Sequence, residues 1–293
     1  MKEYNIKSKL GYINVLEGVD IHLDICKGIM LHVHGFSSHF QFVYNSNNEL
    51  INRDNFFSQH GYKTFGFEFH GHGKSDGACC VINKFDDLLD DLYVVIKFIN
   101  INYPNKKIFL IGESMGGAVI IKYIAERIHQ ISGIVLLSPM CGIDENLKPS
   151  PFMVKLLLIL SNIIPSYPLY YVNKELNDCS SMNEEYKIAF NNNKYTYNGA
   201  FTLCTVREIY HTSLQIASLA PLINIPIIIF HGLTDKVTNP NNSIKFYENI
   251  NCDNKKIVLI ENKDHKLLIP KTKFDKNPDK IYNQILEWLD NLI

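Results

Sequence analysis

The run from Lys107 to Ile111 passes without interruption into Gly112-Glu113-Ser114-Met115-Gly116-Gly117 and then into Ala118-Val119-Ile120-Ile121. An apolar segment, a glycine-flanked serine and a helix-forming segment in direct succession predict a strand, one sharp turn and a helix. The spacing has a mechanical reason. A serine on such a turn adopts a strained backbone conformation that holds its oxygen above the end of the strand, and the flanking positions must lack side chains for strand and helix to approach closely. The same turn puts Ser114 at a helix N-terminus, where N–H groups outside the helical ladder stabilise negative charge. Ser114 is therefore a candidate nucleophile, against the alternative of a purely structural glycine turn.

The rest of the chain supplies a sheet for that turn. Short runs rich in Ile, Val, Phe and Leu predict strands at Gly28 to His34, Tyr62 to Phe69, Lys107 to Ile111, Gly133 to Ser138, Ile227 to His231 and Lys256 to Ile260. Longer amphipathic stretches separate them, the alternation of a mostly parallel sheet flanked by helices. Helices are expected over Phe85 to Ile101, Met115 to Ile128 and Ile281 to Leu292. Asp86, Asp87, Asp90 and Asp91 lie in the front half of the first of these, where a helix dipole favours carboxylates, and are read as a solvated face rather than metal ligands. The rhythm breaks between Cys141 and Pro221, where prolines frame the apolar piece Phe152 to Ile164. The expected organisation is an α/β core formed by residues 1–140 and 221–293, with residues 141–220 inserted between strands six and seven. Such an insertion would lie over the carboxyl edge of the sheet, where open α/β sheets bind ligands.

Composition excludes several classes. With 46% hydrophobic and 20% charged residues, the 293-residue chain is folded rather than disordered. Its 29 basic and 30 acidic residues leave a formal charge of −1, with no basic block to bind a phosphate backbone, so no nucleic acid partner is expected. Met1 to Asp20 has no apolar core of a signal peptide, and no run reaches the roughly 18 to 20 apolar residues of a transmembrane helix, which predicts a soluble, cytoplasmic protein. Seven cysteines without C-x-x-C spacing suit a reduced compartment and no metal site. In His70-Gly71-His72-Gly73-Lys74-Ser75-Asp76-Gly77, only Gly71 and Gly73 precede Lys74, so the spacing is not that of a phosphate-binding loop. It is read as a turn bracing the active-site edge.

A serine hydroxyl needs a base within hydrogen-bond reach and a third group that fixes the base's tautomer. Gly232-Leu233-Thr234-Asp235 follows one expected strand, and Glu261-Asn262-Lys263-Asp264-His265 follows the next. The order Ser114, Asp235, His265 is that of an α/β-hydrolase. Among eleven histidines His265 combines the right order with a position just past a strand, while Asp264 and Glu261 are rival acids. An oxyanion would need two N–H donors. Met115 supplies one by position. Phe36, in His34-Gly35-Phe36 after the strand ending near Val33, supplies the other, against the alternative of an ordinary turn with a packed Phe36.

Taken in order, these segments resemble the monoacylglycerol lipase and lysophospholipase branch of the α/β-hydrolases. The resemblance rests on His34-Gly35-Phe36 with His39, Gly61-Tyr62 leading to Gly71-His72-Gly73-Lys74-Ser75-Asp76-Gly77, Gly112-Glu113-Ser114-Met115-Gly116-Gly117, His231-Gly232-Leu233-Thr234-Asp235-Lys236-Val237-Thr238, and His265 with Leu267. It implies hydrolysis of the ester of a single-chain acyl lipid without a cofactor. It further implies Ser114, Asp235 and His265 as triad, Phe36 and Met115 as oxyanion donors, and 141–220 as a lid. Glu68, His70 and Asn239 depart from the usual Asp, Arg and Asp of the family. The apolar piece Phe152 to Ile164 suits an acyl-chain pocket, plain lid core, or peripheral membrane contact with Lys155 at its edge. Alternatives on the same scaffold are a general carboxylesterase, an acyltransferase or an aminopeptidase, the last needing an acidic anchor such as Glu175, Glu184 or Glu185. From another class, a non-catalytic small-molecule receptor could keep the same pocket.

Overall fold

A computed structural model describes residues 1–18, 25–40, 53–143, 150–169, 179–271 and 274–293. Its eight-stranded sheet is built from β1 (Lys2–Lys7), β2 (Tyr12–Glu17), β3 (Gly28–Val33), β4 (Tyr62–Phe67), β5 (Ile108–Glu113), β6 (Ile131–Leu137), β7 (Ile227–Gly232) and β8 (Lys255–Ile260). The spatial order is β1-β2-β4-β3-β5-β6-β7-β8. β1 pairs antiparallel with β2 and β2 with β4, and every other neighbour is parallel. All six expected strands form, their ends shifted by one or two residues.

The helices are α1 (Arg53–Gln59), α2 (Asp86–Asn102), α3 (Met115–Glu126), α4 (Pro151–Ile163), α5 (Glu184–Asn192), α6 (Leu203–Gln215), α7 (Pro240–Glu248) and α8 (Asn277–Asp290). Successive residues of a strand point to opposite faces, so each central strand feeds two cores. Ile29, Leu31, Ile108, Leu110, Ile134 and Leu136 pack with α2 and α3 on one face. Met30, Phe109, Ile111, Val135 and Phe230 meet Ile285, Trp288 and Leu289 of α8 on the other. This is why β3 to β7 read as near-continuous apolar runs.

The sequence reading does not anticipate β1 and β2. β1 is an edge strand whose outer positions carry Lys2, Glu3, Asn5 and Lys7, so its apolar signal is weak. Behind it lies a buried ion pair, Lys63 Nζ to Glu17 Oε1 at 2.6 Å, with the hydroxyls of Tyr4 and Tyr103 also donating to Glu17. Burial alone would raise the Glu17 pKa, but the hydrogen bonds from Lys63 and the two tyrosines hold it below the ordinary value. Lys63→Met would leave that carboxylate buried without its cation, and urea unfolding followed by circular dichroism should show a loss of about 3–5 kcal/mol.

The acidic cluster of α2 corrects an expectation. Asp90 does face solvent, pairing with Arg127 and Lys9, but Asp91 is buried, accepting hydrogen bonds from the Ser8 hydroxyl and, at 2.8 Å, from the His70 N–H. These donors lie far away in sequence, so the local charge pattern gives no sign of them.

Between β6 and β7 the chain leaves the sheet and forms α4, α5, α6, a 3₁₀ turn (Ile216–Leu222) and a two-residue antiparallel pair, Pro168–Leu169 with Phe201–Thr202. Parts of the expected insertion, 144–149 and 170–178 with Glu175, lie outside the described residues. α4 starts at Pro151, capped by the Ser150 hydroxyl accepting from the Met153 N–H. Its outer face is apolar and open: Phe152 is 76% and Ile163 69% exposed, with Met153, Leu156 and Ile159 beside them. Among the described residues no helix is long and apolar enough to cross a membrane.

Candidate active site

Ser114 sits between the last residue of β5 and the first of α3, at φ 56° and ψ −121°. That left-handed conformation is strained for serine and is held by its surroundings. The Ser114 N–H donates to the Leu137 carbonyl at 3.1 Å, and its own carbonyl accepts from the Met140 N–H at 3.0 Å, tying the turn to the end of β6. The glycines are sterically required. A Cβ on Gly112 would stand 2.5 Å from Ile120 Cδ1, and one on Gly116 would stand 2.2 Å from the Val33 carbonyl oxygen. The Ser114 side is half-buried, so solvent and a ligand can reach it.

The loop after β3 faces this turn. A Cβ on Gly35 would lie 3.3 Å from Ser114 Cβ and 3.9 Å from its Oγ, so a side chain there would crowd the turn that carries the hydroxyl. His34 Nε2 accepts the Phe69 N–H at 3.1 Å, so its proton is on Nδ1, which donates to the Gly35 carbonyl at 2.8 Å. Burial, reinforced by the neighbouring His72, pushes His34 well below the ordinary imidazole range and keeps it neutral. In a trans peptide C=O and N–H point oppositely, so fixing the Gly35 carbonyl also fixes the Phe36 N–H on the other side, away from the His34 ring. The Phe36 ring stacks edge-on against Phe201, centroids 4.5 Å apart. The Phe36 ring is thus packed, and its N–H has no hydrogen-bond partner among the described residues. Met115, first residue of α3, has its N–H outside the helical ladder.

Asp235 and His265 meet across 30 residues. His265 Nδ1 lies 2.7 Å from Asp235 Oδ2, both residues buried. A carboxylate only accepts, so Nδ1 carries the proton and Nε2 keeps the lone pair a base requires. Asp235 Oδ1 accepts the N–H groups of Val237 at 2.8 Å and Thr238 at 3.0 Å, and Oδ2 also accepts the Thr238 hydroxyl at 2.9 Å. Burial would raise the Asp235 pKa, but the charge of His265 and hydrogen bonds from His231 and His265 outweigh it and hold the carboxyl far below the usual range. The rival acids are engaged elsewhere: Asp264 Oδ2 accepts the Met182 N–H at 2.8 Å, and Glu261 is exposed.

Two residues escape the sequence reading of the site. Thr238 Oγ1 touches Asp235, stands 3.2 Å from His265 Nδ1 and 3.1 Å from the Ser138 carbonyl. His231 Nε2 lies 3.2 Å from Asp235 Oδ2 and 3.0 Å from the Thr238 carbonyl, while its Nδ1 meets Ser243 at 2.8 Å. A histidine at the penultimate position of β7, four residues before Asp235, was the available signal, but a local pattern cannot reveal its partners. The Ser114 backbone is thus bonded to the end of β6, and Thr238, whose hydroxyl proton goes to Asp235, lies in polar contact between the Ser138 carbonyl and the Asp235–His265 pair. Among the described residues, no hydrogen bond joins the Ser114 hydroxyl to His265 itself. Catalytic hydrogen bonds of this kind are commonly long without substrate.

The loop from His70 to Gly77 acts as a brace, and Glu68 is its anchor. Lys74 N–H donates to Glu68 Oε2 at 2.6 Å, the Ser75 hydroxyl to the Glu68 carbonyl, and Ser75 in turn accepts the Asn14 N–H of β2 at 2.9 Å. Burial, partly offset by the His70 carbonyl, pushes His72 down to about 4. Among the described residues no group of three or more His, Cys, Asp or Glu is placed to hold a metal.

A family model described as serine aminopeptidase, S33, matches residues 25–271, most of the chain. The chain belongs to that family. Among curated members of its sequence neighbourhood, caffeoylshikimate esterase of Arabidopsis thaliana is 27% identical over 240 residues, 81% of this chain and 71% of that protein. Monoglyceride lipase of Mus musculus is 24% identical over 203 residues, covering 69% of this chain and 66% of the relative. A crystal structure of Paleococcus ferrophilus monoacylglycerol lipase superposes over the whole of both chains with a TM-score of 0.79 at 21% identity. That likeness shows the α/β-hydrolase fold of this S33 family member, as the resemblance implied.

Proposed function

We propose that the protein is a serine hydrolase that cleaves the carboxylic ester of a single-chain acyl lipid, a monoacylglycerol or lysophospholipid, through an acyl-enzyme. The observation that carries this is the 2.7 Å Asp235–His265 pair, with Nε2 left as acceptor, on the sheet edge that also presents Ser114 in its strained turn. His265 takes the Ser114 proton as Oγ attacks the ester carbonyl, and Asp235 stabilises the imidazolium. The amides of Phe36 and Met115 receive the oxyanion. Collapse of the tetrahedral intermediate releases glycerol or its phosphoester, protonated by His265, and a water activated by the same ring then splits the acyl-Ser114 bond. No cofactor is required.

The substrate class is supported by the named relatives, which are ester hydrolases, and by the open apolar face of α4. In this reading residues 141–220 act as a lid, whose apolar face lines the acyl path or rests on a lipid surface. It touches both sides of the site, through Phe201 on Phe36 and Met182 on Asp264. The aminopeptidase description of the family gains less support here: Glu184 pairs with Lys187 in solvent and Glu185 is exposed, so neither forms a buried anchor for an α-amino group.

A hydrolysis panel of monoacylglycerols, lysophospholipids, short synthetic esters and aminoacyl p-nitroanilides tests the reading. We expect kcat/KM on the lipid esters to rise about three- to fourfold per methylene until the pocket is filled, the equivalent of about 0.8 kcal/mol per buried CH₂. Faster cleavage of the anilides, or indifference to chain length, would overturn it.

A further inference from the structure

Residues 261–270, which carry His265, form no helix or strand. Such a loop needs side-chain anchors to hold an imidazole base in place, because a misplacement of about 1 Å can cost roughly 10²-fold in rate. Two anchors tie the loop away from the nucleophile. Lys263 Nζ reaches the Ile269 carbonyl at 2.6 Å and Asp275 at 2.7 Å, and Asp264 binds the Met182 N–H. The third reaches the nucleophile's turn. Lys266 Nζ lies 2.6 Å from Glu113 Oε1, and the two side chains are only 11% and 12% exposed.

Glu113 immediately precedes Ser114, and Lys266 immediately follows His265. We propose that the Glu113–Lys266 ion pair is a positioning device that sets the imidazole of His265 against the Ser114 hydroxyl, and so selects the reactive arrangement of the loop. The proposal rests on the serine-hydrolase reading. Its physical basis is that Asp235 and Thr238 contact only the Nδ1 end of the imidazole, so the placement of Nε2 depends on how the loop carrying His265 is held. A shielded ion pair between the chain neighbours of nucleophile and base fixes that placement. It is stronger than a surface pair because little water screens it. Lys266 also lies 5.9 Å from the centre of the Tyr186 ring on α5, so the same ammonium touches the inserted segment. The first variable position of the G-x-S-x-G turn, Glu113, thereby acquires a role of its own.

The test uses the full chain with Glu113→Gln, Lys266→Met and the exchanged double variant Glu113→Lys/Lys266→Glu. For each, kcat and KM on a p-nitrophenyl ester, the rate of Ser114 labelling by a fluorophosphonate, and the thermal midpoint are measured. Each single variant should lose about 10- to 100-fold in kcat and in labelling rate at a temperature where it stays folded, with KM within about twofold, while the midpoint falls because a shielded charge loses its counter-ion. The exchanged pair should regain at least about tenfold over the poorer single variant, as coupled partners do, and the readout that a merely structural role would not move is the kcat loss at saturating substrate in variants that are still folded. Wild-type kcat in both single variants, or a loss that follows the midpoint and is not regained in the exchange, overturns the proposal. Should a single variant fail to fold, Glu113→Asp decides, since it keeps the charge but shortens the reach: a lower kcat at unchanged midpoint supports the device, and wild-type kcat overturns it. Ser114→Ala separates the two levels, because activity in that variant would sink the serine-hydrolase reading whatever the ion pair does.

Discussion

Ser114→Ala should lower turnover of a monoacylglycerol or p-nitrophenyl ester by roughly 10⁴- to 10⁶-fold and abolish fluorophosphonate labelling. The size of the effect follows from what the substitution leaves behind. The Phe36 and Met115 amides and the surrounding pocket still bind the ester, so catalysis above the solvent rate persists, but no acyl-enzyme can form. The turn itself should survive. Its geometry is held by Gly112, Gly116 and the backbone bonds to Leu137 and Met140, none of which uses the hydroxyl. Circular dichroism should therefore be unchanged. Retention of more than about a tenth of wild-type turnover would show that another group performs the attack.

Asp235→Asn should cost about 10⁴-fold in kcat, through the tautomer. The amide can turn its NH₂ toward His265, which then takes its proton on Nε2 and can no longer accept from serine. The same substitution also changes stability in a pH-dependent way. The Asp235 carboxyl is held below its unfolded value, so its ionisation contributes stability that is fully present above the unfolded pKa of about 3.9 and is lost as pH falls through the folded value. Urea unfolding of the two proteins should differ most near neutrality, and the gap should narrow only in strongly acid solution. A gap independent of pH would show that Asp235 contributes through packing rather than charge.

Much of this site is local and therefore legible. The nucleophile turn is written within a dozen residues as strand, glycine-flanked serine and helix, although the contacts that make Gly116 and the Ser114 backbone necessary come from Val33, Leu137 and Met140. The β3 to β7 runs are legible for another reason: burial on two faces leaves a near-continuous apolar signature. β1 is less so, since an edge strand with charged outer positions looks like any polar segment. Asp91 shows the limit most plainly, because a carboxylate's burial depends on donors, here Ser8 and His70, that no local pattern announces.

Chain order alone determined that an acid and a base would follow Ser114 on later strands, and that a long segment would interrupt the sheet before β7. The same order favoured Asp235 over its rivals Asp264 and Glu261, but no local pattern shows which carboxylate reaches His265. Tertiary structure decided among them by direction and burial: Asp264 turns to the Met182 N–H, Glu261 stays in water, and Asp235 is clamped by Thr238 and His231 at hydrogen-bond distance from the imidazole. A hydrogen bond is lost within an ångström or so of displacement, and positions separated by 30 residues reach that precision only when the sheet aligns the strand ends that carry them.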